Sequence, residues 1–131
     1  MVIVNTAIRP LVMVVDDEEE LGLLYRRFIE LSGFDCKYFT DPKEAIDAFG
    51  LNCNSYSLVI TDLKMPGIDG IEFSKKIRKY NKTIKILLIT NFLVEENLDD
   101  KMVKEAGIDS VLEKPFHPKD LSPMLKQILR S

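Results

Sequence analysis

The chain has 131 residues, 46% of them hydrophobic and 30% charged, with a formal net charge of −3. That length suits one ordinary domain with a real buried core, and the composition is that of a soluble globular protein. The acidic balance argues against nonspecific binding to a nucleic-acid backbone, and no apolar run approaches the length of a membrane span. The apolar start Met1-Val2-Ile3-Val4 breaks at Asn5 with no basic region or cleavage-like site, so no signal peptide is expected. Cys36 and Cys53 lack a C-x-x-C spacing and are expected as reduced thiols of a cytoplasmic protein.

Residues 1–9 are expected as a loosely held extension and 10–131 as the domain itself. The apolar run 11–15 predicts a first strand that closes on Asp16-Asp17. Leu21, Leu24, Phe28 and Leu31 mark one face of a helix that Gly33 should stop. The run 35–39 is more polar and suits an edge strand. Asp41-Pro42 starts a second helix with Ala45, Ile46 and Phe49 on its inner face. A third strand, 57–61, closes on Asp62; Phe73, Ile77 and Tyr80 follow at helical spacing. A fourth, 84–89, runs into Thr90, before a helix carrying Leu98, Met102 and Ala106 and a stop at Gly107. The fifth strand, 109–113, leads to Lys114; His117-Pro118 then opens a last helix with Leu121, Leu125 and Ile128 inward.

Strict alternation of strand and helix predicts parallel βα units, hence an α/β doubly wound five-stranded parallel sheet with five helices. The polar second strand at an edge favours the order 2-1-3-4-5, whose ligand crevice lies at the carboxyl ends of strands 1 and 3. Asp16, Asp17 and Asp62 fall at those ends. Taken singly each has a plainer reading: an acidic pair before a helix as cap and dipole partner, Asp62 before Pro66-Gly67 as turn chemistry, Lys114 as a solvated side chain. Together they form an acidic crevice with one cation beside it. Converging carboxylates repel and collect a proton or a metal ion, and Mg2+ suits carboxylates that share it with waters and phosphate oxygens. One carboxylate could then attack phosphorus, with Lys114 and the Thr90 hydroxyl stabilising the transferred group.

The strings V-V-D-D-E-E, T-D-L-K-M-P-G-I-D-G, L-L-I-T and E-A-G-I-D-S-V-L-E-K-P-F resemble the receiver domain of two-component response regulators, from about Leu11 to the chain end. The resemblance implies a flavodoxin-like fold and a phosphorylation switch without enzymatic turnover of a separate substrate. Asp62 would be the phosphoacceptor, served by a histidine kinase or phosphotransfer protein. Asp17 would bind Mg2+ directly and Asp16 through water, with the Lys64 backbone carbonyl as a further ligand. Thr90 would hydrogen-bond the phosphoryl group and Lys114 would pair with it, aimed by a cis Lys114-Pro115 bond. The output would be altered binding of a protein target in trans, any homodimer using the face of helix 4, strand 5 and helix 5. Only seventeen residues follow Lys114, so no output domain is expected.

Three departures from the family pattern stand out. Val111 occupies a position usually aromatic, Asn91 one usually very small, and Pro123 lies inside the last helix. Asn91, with Phe92 and Lys64, is expected to narrow access to the phosphoryl group; Pro123 is expected to kink or delay its helix and alter the neighbouring face. His117 is read as a helix cap and not as a metal ligand. The alternatives are a degenerate receiver that docks without phosphorylation, kept open by Val111 and Asn91, and a Mg2+-dependent aspartyl-phosphate phosphatase. The second is disfavoured because Asp16 is followed by Glu18 where such enzymes carry D-x-D.

Overall fold

Runs rich in Val, Ile and Leu make strands because both faces of each are covered; the intervening 3.6-residue periodicity makes the covering helices. The computed structural model describes residues 9–91 and 98–130. The elements follow as β1 (Leu11–Val15), α1 (Glu19–Leu31), β2 (Asp35–Phe39), α2 (Pro42–Leu51), β3 (Leu58–Asp62), α3 (Gly70–Tyr80), β4 (Lys85–Thr90), α4 (Asp100–Glu105), β5 (Ser110–Glu113) and α5 (Leu121–Arg130). β3, β4 and β5 each begin one residue later than the sequence suggests. All strand pairings are parallel and the order is β2-β1-β3-β4-β5, the doubly wound arrangement expected, with polar β2 at an edge.

Alternate residues of each strand feed two cores. Val12 and Val14 pack with Tyr25 and Ile29 of α1 and Leu121, Leu125 and Ile128 of α5. Met13 and Val15 pack on the opposite face with Ala45 and Phe49 of α2, Ile71, Phe73 and Ile77 of α3, and Ala106 beyond α4. Phe49 and Phe73 are fully buried; truncating either to alanine would cost roughly 3–5 kcal/mol. Asp41 caps α2 by accepting from the Lys43 N–H (2.9 Å) with Pro42 at the first position. Gly33 (φ +100°) and Gly107 (φ +73°) end α1 and α4 in the left-handed conformation a side chain disfavours.

Four details differ from the sequence reading or refine it. The buried face of α1 is Gly22, Tyr25 and Ile29; Leu24 is 39% and Leu31 72% exposed. The helix carries two overlapping stripes about 100° apart, and the less oily one, with a glycine and a tyrosine, faces the sheet. Tyr80 is half exposed, its ring set at an edge angle to Phe49 at 6.3 Å. Within the expected loose extension, Arg9 is anchored by bonds from its guanidinium to the carbonyls of Glu30, Gly33 and Phe34, closing the end of α1; the rest of that stretch, 1–8, lies outside the described residues. The last helix begins as a 3-10 turn, Pro118–Asp120, and becomes α-helical at Leu121. Pro123 thereby falls in the first turn of the α-helical part.

Candidate functional site

At the end of β1 the backbone N–H of Asp16 still donates to the carbonyl of Phe39 (3.1 Å) before the chain leaves the sheet. The Asp16 carboxylate is buried, 1% exposed, and accepts from the Glu18 N–H (2.9 Å), so it turns beneath the start of α1. The Asp16 carbonyl accepts from the Tyr38 hydroxyl (2.7 Å). Asp17 is exposed at the mouth of the crevice.

Asp62 is the last residue of β3, in register with Ile89. Its side chain is buried and accepts from the Leu63 N–H (3.0 Å). The following loop passes through Gly67 in the left-handed conformation (φ +88°) and closes where the Gly70 N–H donates to the Leu63 carbonyl (2.7 Å). A Cβ on Gly70 would lie 2.5 Å from the Asp62 carbonyl oxygen and 2.7 Å from Leu88 Cδ1, so only glycine lets α3 start this close. Asp69 caps that helix, accepting from the Glu72 N–H (2.9 Å).

Thr90 ends β4 fully buried, and its hydroxyl has no hydrogen-bond partner among the described residues. Its carbonyl accepts from the Lys114 N–H (2.8 Å), which seats the end of β5 alongside. The Lys114 ammonium reaches across to Asp62, Nζ to Oδ2 3.4 Å. The Lys114-Pro115 bond is cis. Phe116 stacks on Tyr25 (5.8 Å between ring centroids) and His117 meets Phe28 edge-on (6.2 Å), fastening this loop to α1. His117 caps the 3-10 turn that opens the last helix, as expected: its Nδ1 accepts from the Lys119 N–H, and the His117 N–H donates to the Asp120 carboxylate.

One oxygen from each of Asp16, Asp17 and Asp62 lies within 4.8 Å of the others. Burial pushes the Asp16 carboxyl up to about 6, opposed by the Glu18 N–H and reinforced by the charge of Asp62. Burial also raises Asp62, with the Lys114 charge pulling against it. Buried carboxylates with raised pKa values are electrostatically under-compensated, and the donor set is all hard oxygen. Both features fit a divalent cation such as Mg2+. The orphaned Thr90 hydroxyl and the Lys114 ammonium fit an oxyanion next to it.

The fold thus brings Asp16, Asp17, Asp62 and Lys114 together at one sheet edge, with Thr90 ending the adjacent strand. Lys64 is exposed in the loop two residues beyond Asp62, and Asn91 is half-buried just past Thr90. Phe92 and the pair Glu95-Glu96 lie outside the described residues. Val111 is half-buried in β5, in register with Leu88, and packs on the α2–α3 side of the core. Two participants were not singled out from sequence. Tyr38 touches the acidic loop directly, and Tyr25 supports the ring of Phe116. The one available signal was Gly22, a glycine inside a helix.

A family profile described as the response regulator receiver domain matches residues 12–126. The chain belongs to the response regulator receiver family. Receivers are signalling modules, and phosphorylation and Mg2+ are features of the family. This receiver is 33% identical over 119 residues to the alkaline phosphatase synthesis transcriptional regulatory protein PhoP of Bacillus subtilis (strain 168), across 91% of this chain and 48% of that protein. It is 36% identical over 118 residues to a transcriptional regulatory protein CpxR homolog of Haemophilus influenzae, across 90% of this chain and 49% of that protein. The receiver spans about half the length of the curated relatives it matches. A crystal structure of a response regulator receiver domain protein from Clostridium thermocellum superposes with a TM-score of 0.83 at 26% identity, covering 92% of this chain and 94% of that one. Among the described residues no helix is long and apolar enough to cross a membrane.

Proposed function

We propose that this receiver is a phosphoaccepting switch. Asp62 takes a phosphoryl group from a histidine kinase or phosphotransfer protein, and the phosphorylated form changes its binding to a protein target in trans. Residues 10–131 act as the receiver unit. The observation that carries the reading is the convergence of three carboxylates within 4.8 Å, with the Lys114 ammonium 3.4 Å from Asp62.

Asp16, Asp17 and the Lys64 main-chain carbonyl would hold Mg2+ together with Asp62. Bound there, the ion neutralises carboxylate charge and offsets the charge on the incoming phosphoryl oxygens. The Leu63 N–H fixes one Asp62 oxygen and orients the other toward Lys114. That second oxygen forms the new bond to phosphorus as the bond from phosphorus to the donor imidazole nitrogen breaks, and the imidazole leaves to take a proton from solvent. Lys114 then exchanges its carboxylate partner for a phosphoryl oxygen, and the Thr90 hydroxyl gains an acceptor. The added charge alters what the face of α4, β5 and α5 binds, a homodimer partner included.

Beryllofluoride, which stands in for a phosphoryl group on a carboxylate, tests the pocket without a kinase. Bound 19F NMR signals that require Mg2+ and vanish in Asp62→Asn are expected. Their absence in wild type overturns the proposal.

A further inference from the structure

Two main-chain bonds tie Asp16 to the end of β2. Its N–H donates to the Phe39 carbonyl (3.1 Å), and its carbonyl accepts from the Tyr38 side chain (2.7 Å). The first is a sheet bond that any sequence would make. The second depends on one hydroxyl. We propose that Tyr38 is a positioning residue for the metal-binding loop: by holding the peptide between Asp16 and Asp17, it sets how both carboxylates face Asp62. This inference rests on the assignment of the acidic cluster as a Mg2+ site.

The peptide joining Asp16 to Asp17 is a rigid plane. Fixing its carbonyl oxygen therefore fixes the Cα directions from which both acidic side chains depart. Without that tether only the turn from the Glu18 N–H to the Asp16 carboxylate restrains the plane, and three mutually repelling carboxylates would drive it toward a wider spacing. The acceptor is a main-chain oxygen, so the tether acts on the loop itself and leaves the carboxylate oxygens available to a cation.

The surroundings of Tyr38 are shaped for this contact. The residue lies in β2 opposite Val14, and its half-buried ring crosses α1 at Gly22. A Cβ built on Gly22 would overlap Tyr38 Cε1 and Cζ. Glycine inside a helix costs roughly 0.5–1 kcal/mol relative to alanine, and here it provides the space the ring occupies.

Isothermal titration calorimetry with Mg2+ alone, without a phosphoryl donor, tests the role in the intact chain. Tyr38→Phe keeps the ring and removes the donor; Gly22→Ala keeps the donor and displaces the ring. Tyr80→Phe, half exposed at the far end of α3, is the control. Both site variants are expected to bind Mg2+ about tenfold more weakly, in line with loss of a group that orients a metal ligand, while Tyr80→Phe matches wild type. Metal-free melting of Tyr38→Phe is expected to stay near that of wild type, which separates positioning from general destabilisation. A weakening in Tyr38→Phe of less than roughly threefold, against the tenfold scale for such groups, overturns the role of Tyr38 and leaves the metal site standing. No Mg2+ binding by wild type overturns the metal-site assignment, and this inference with it.

Discussion

Lys114 and Asp62 are 52 residues apart in the chain, yet Nζ and Oδ2 lie 3.4 Å from each other. The pairing is a product of topology. β3 and β5 flank β4, so the residues that end all three strands are delivered to one edge of the sheet. The Lys114 charge opposes the burial that raises the Asp62 carboxyl.

Replacing Lys114 with methionine should therefore raise the Asp62 pKa further, because burial remains and the opposing charge is gone. A 13C NMR titration of the Asp62 carboxyl in metal-free protein reads this directly. A pKa unchanged or lowered in Lys114→Met would show that the ammonium does not act on Asp62.

The acidic cluster should make metal-free stability depend on pH in an unusual sense. Burial raises the Asp16 carboxyl from its ordinary 3.8 in the unfolded chain to about 6 in the folded one. Between those values the folded state binds more protons than the unfolded state, so stability falls as pH rises through the window and stays low above it. Asp16→Asn removes the penalty while keeping an acceptor for the Glu18 N–H. In metal-free buffer near pH 8 this variant should melt higher than wild type by roughly 3–10 °C, with the gap closing toward pH 4. Saturating Mg2+ should reverse the order, since an amide is the poorer ligand. Thermal melts at both pH values, with and without Mg2+, check all of this.

Gly70 tests the close approach of α3 to the strand that ends at Asp62. A methyl group there meets the Asp62 carbonyl and Leu88 at 2.5 and 2.7 Å. Gly70→Ala should destabilise the fold by roughly 1–3 kcal/mol, the usual scale for overpacking, despite alanine's better helix propensity. Urea unfolding measures the difference; an unchanged midpoint would mean the loop yields without strain.

Sheet order and the grouping of the candidate site residues were legible in the sequence for the same reason. Asp16, Asp17, Asp62, Thr90 and Lys114 each close or follow an apolar run, and in a parallel βα array the ends of successive strands share one edge. What the sequence did not disclose depends on rotation and contact. The inward face of α1 was hidden because Leu21, Leu24, Phe28 and Leu31 form an oilier stripe than Gly22, Tyr25 and Ile29. With that face misread, Gly22 had no visible purpose, and Tyr38 had no reason to be linked to Asp16 across 22 residues. Pro123 was visible as a break, but only the 3-10 turn before Leu121 shows how the chain accommodates it.

The central claim, that these groups form one phosphoryl-accepting site, is tested most directly by intact-mass analysis after incubation with acetyl phosphate. Wild type with Mg2+ should gain a single phosphoryl increment; Asp62→Asn, or wild type with the metal chelated, should gain none. An increment that persists in Asp62→Asn, or that forms equally well without Mg2+, would contradict it.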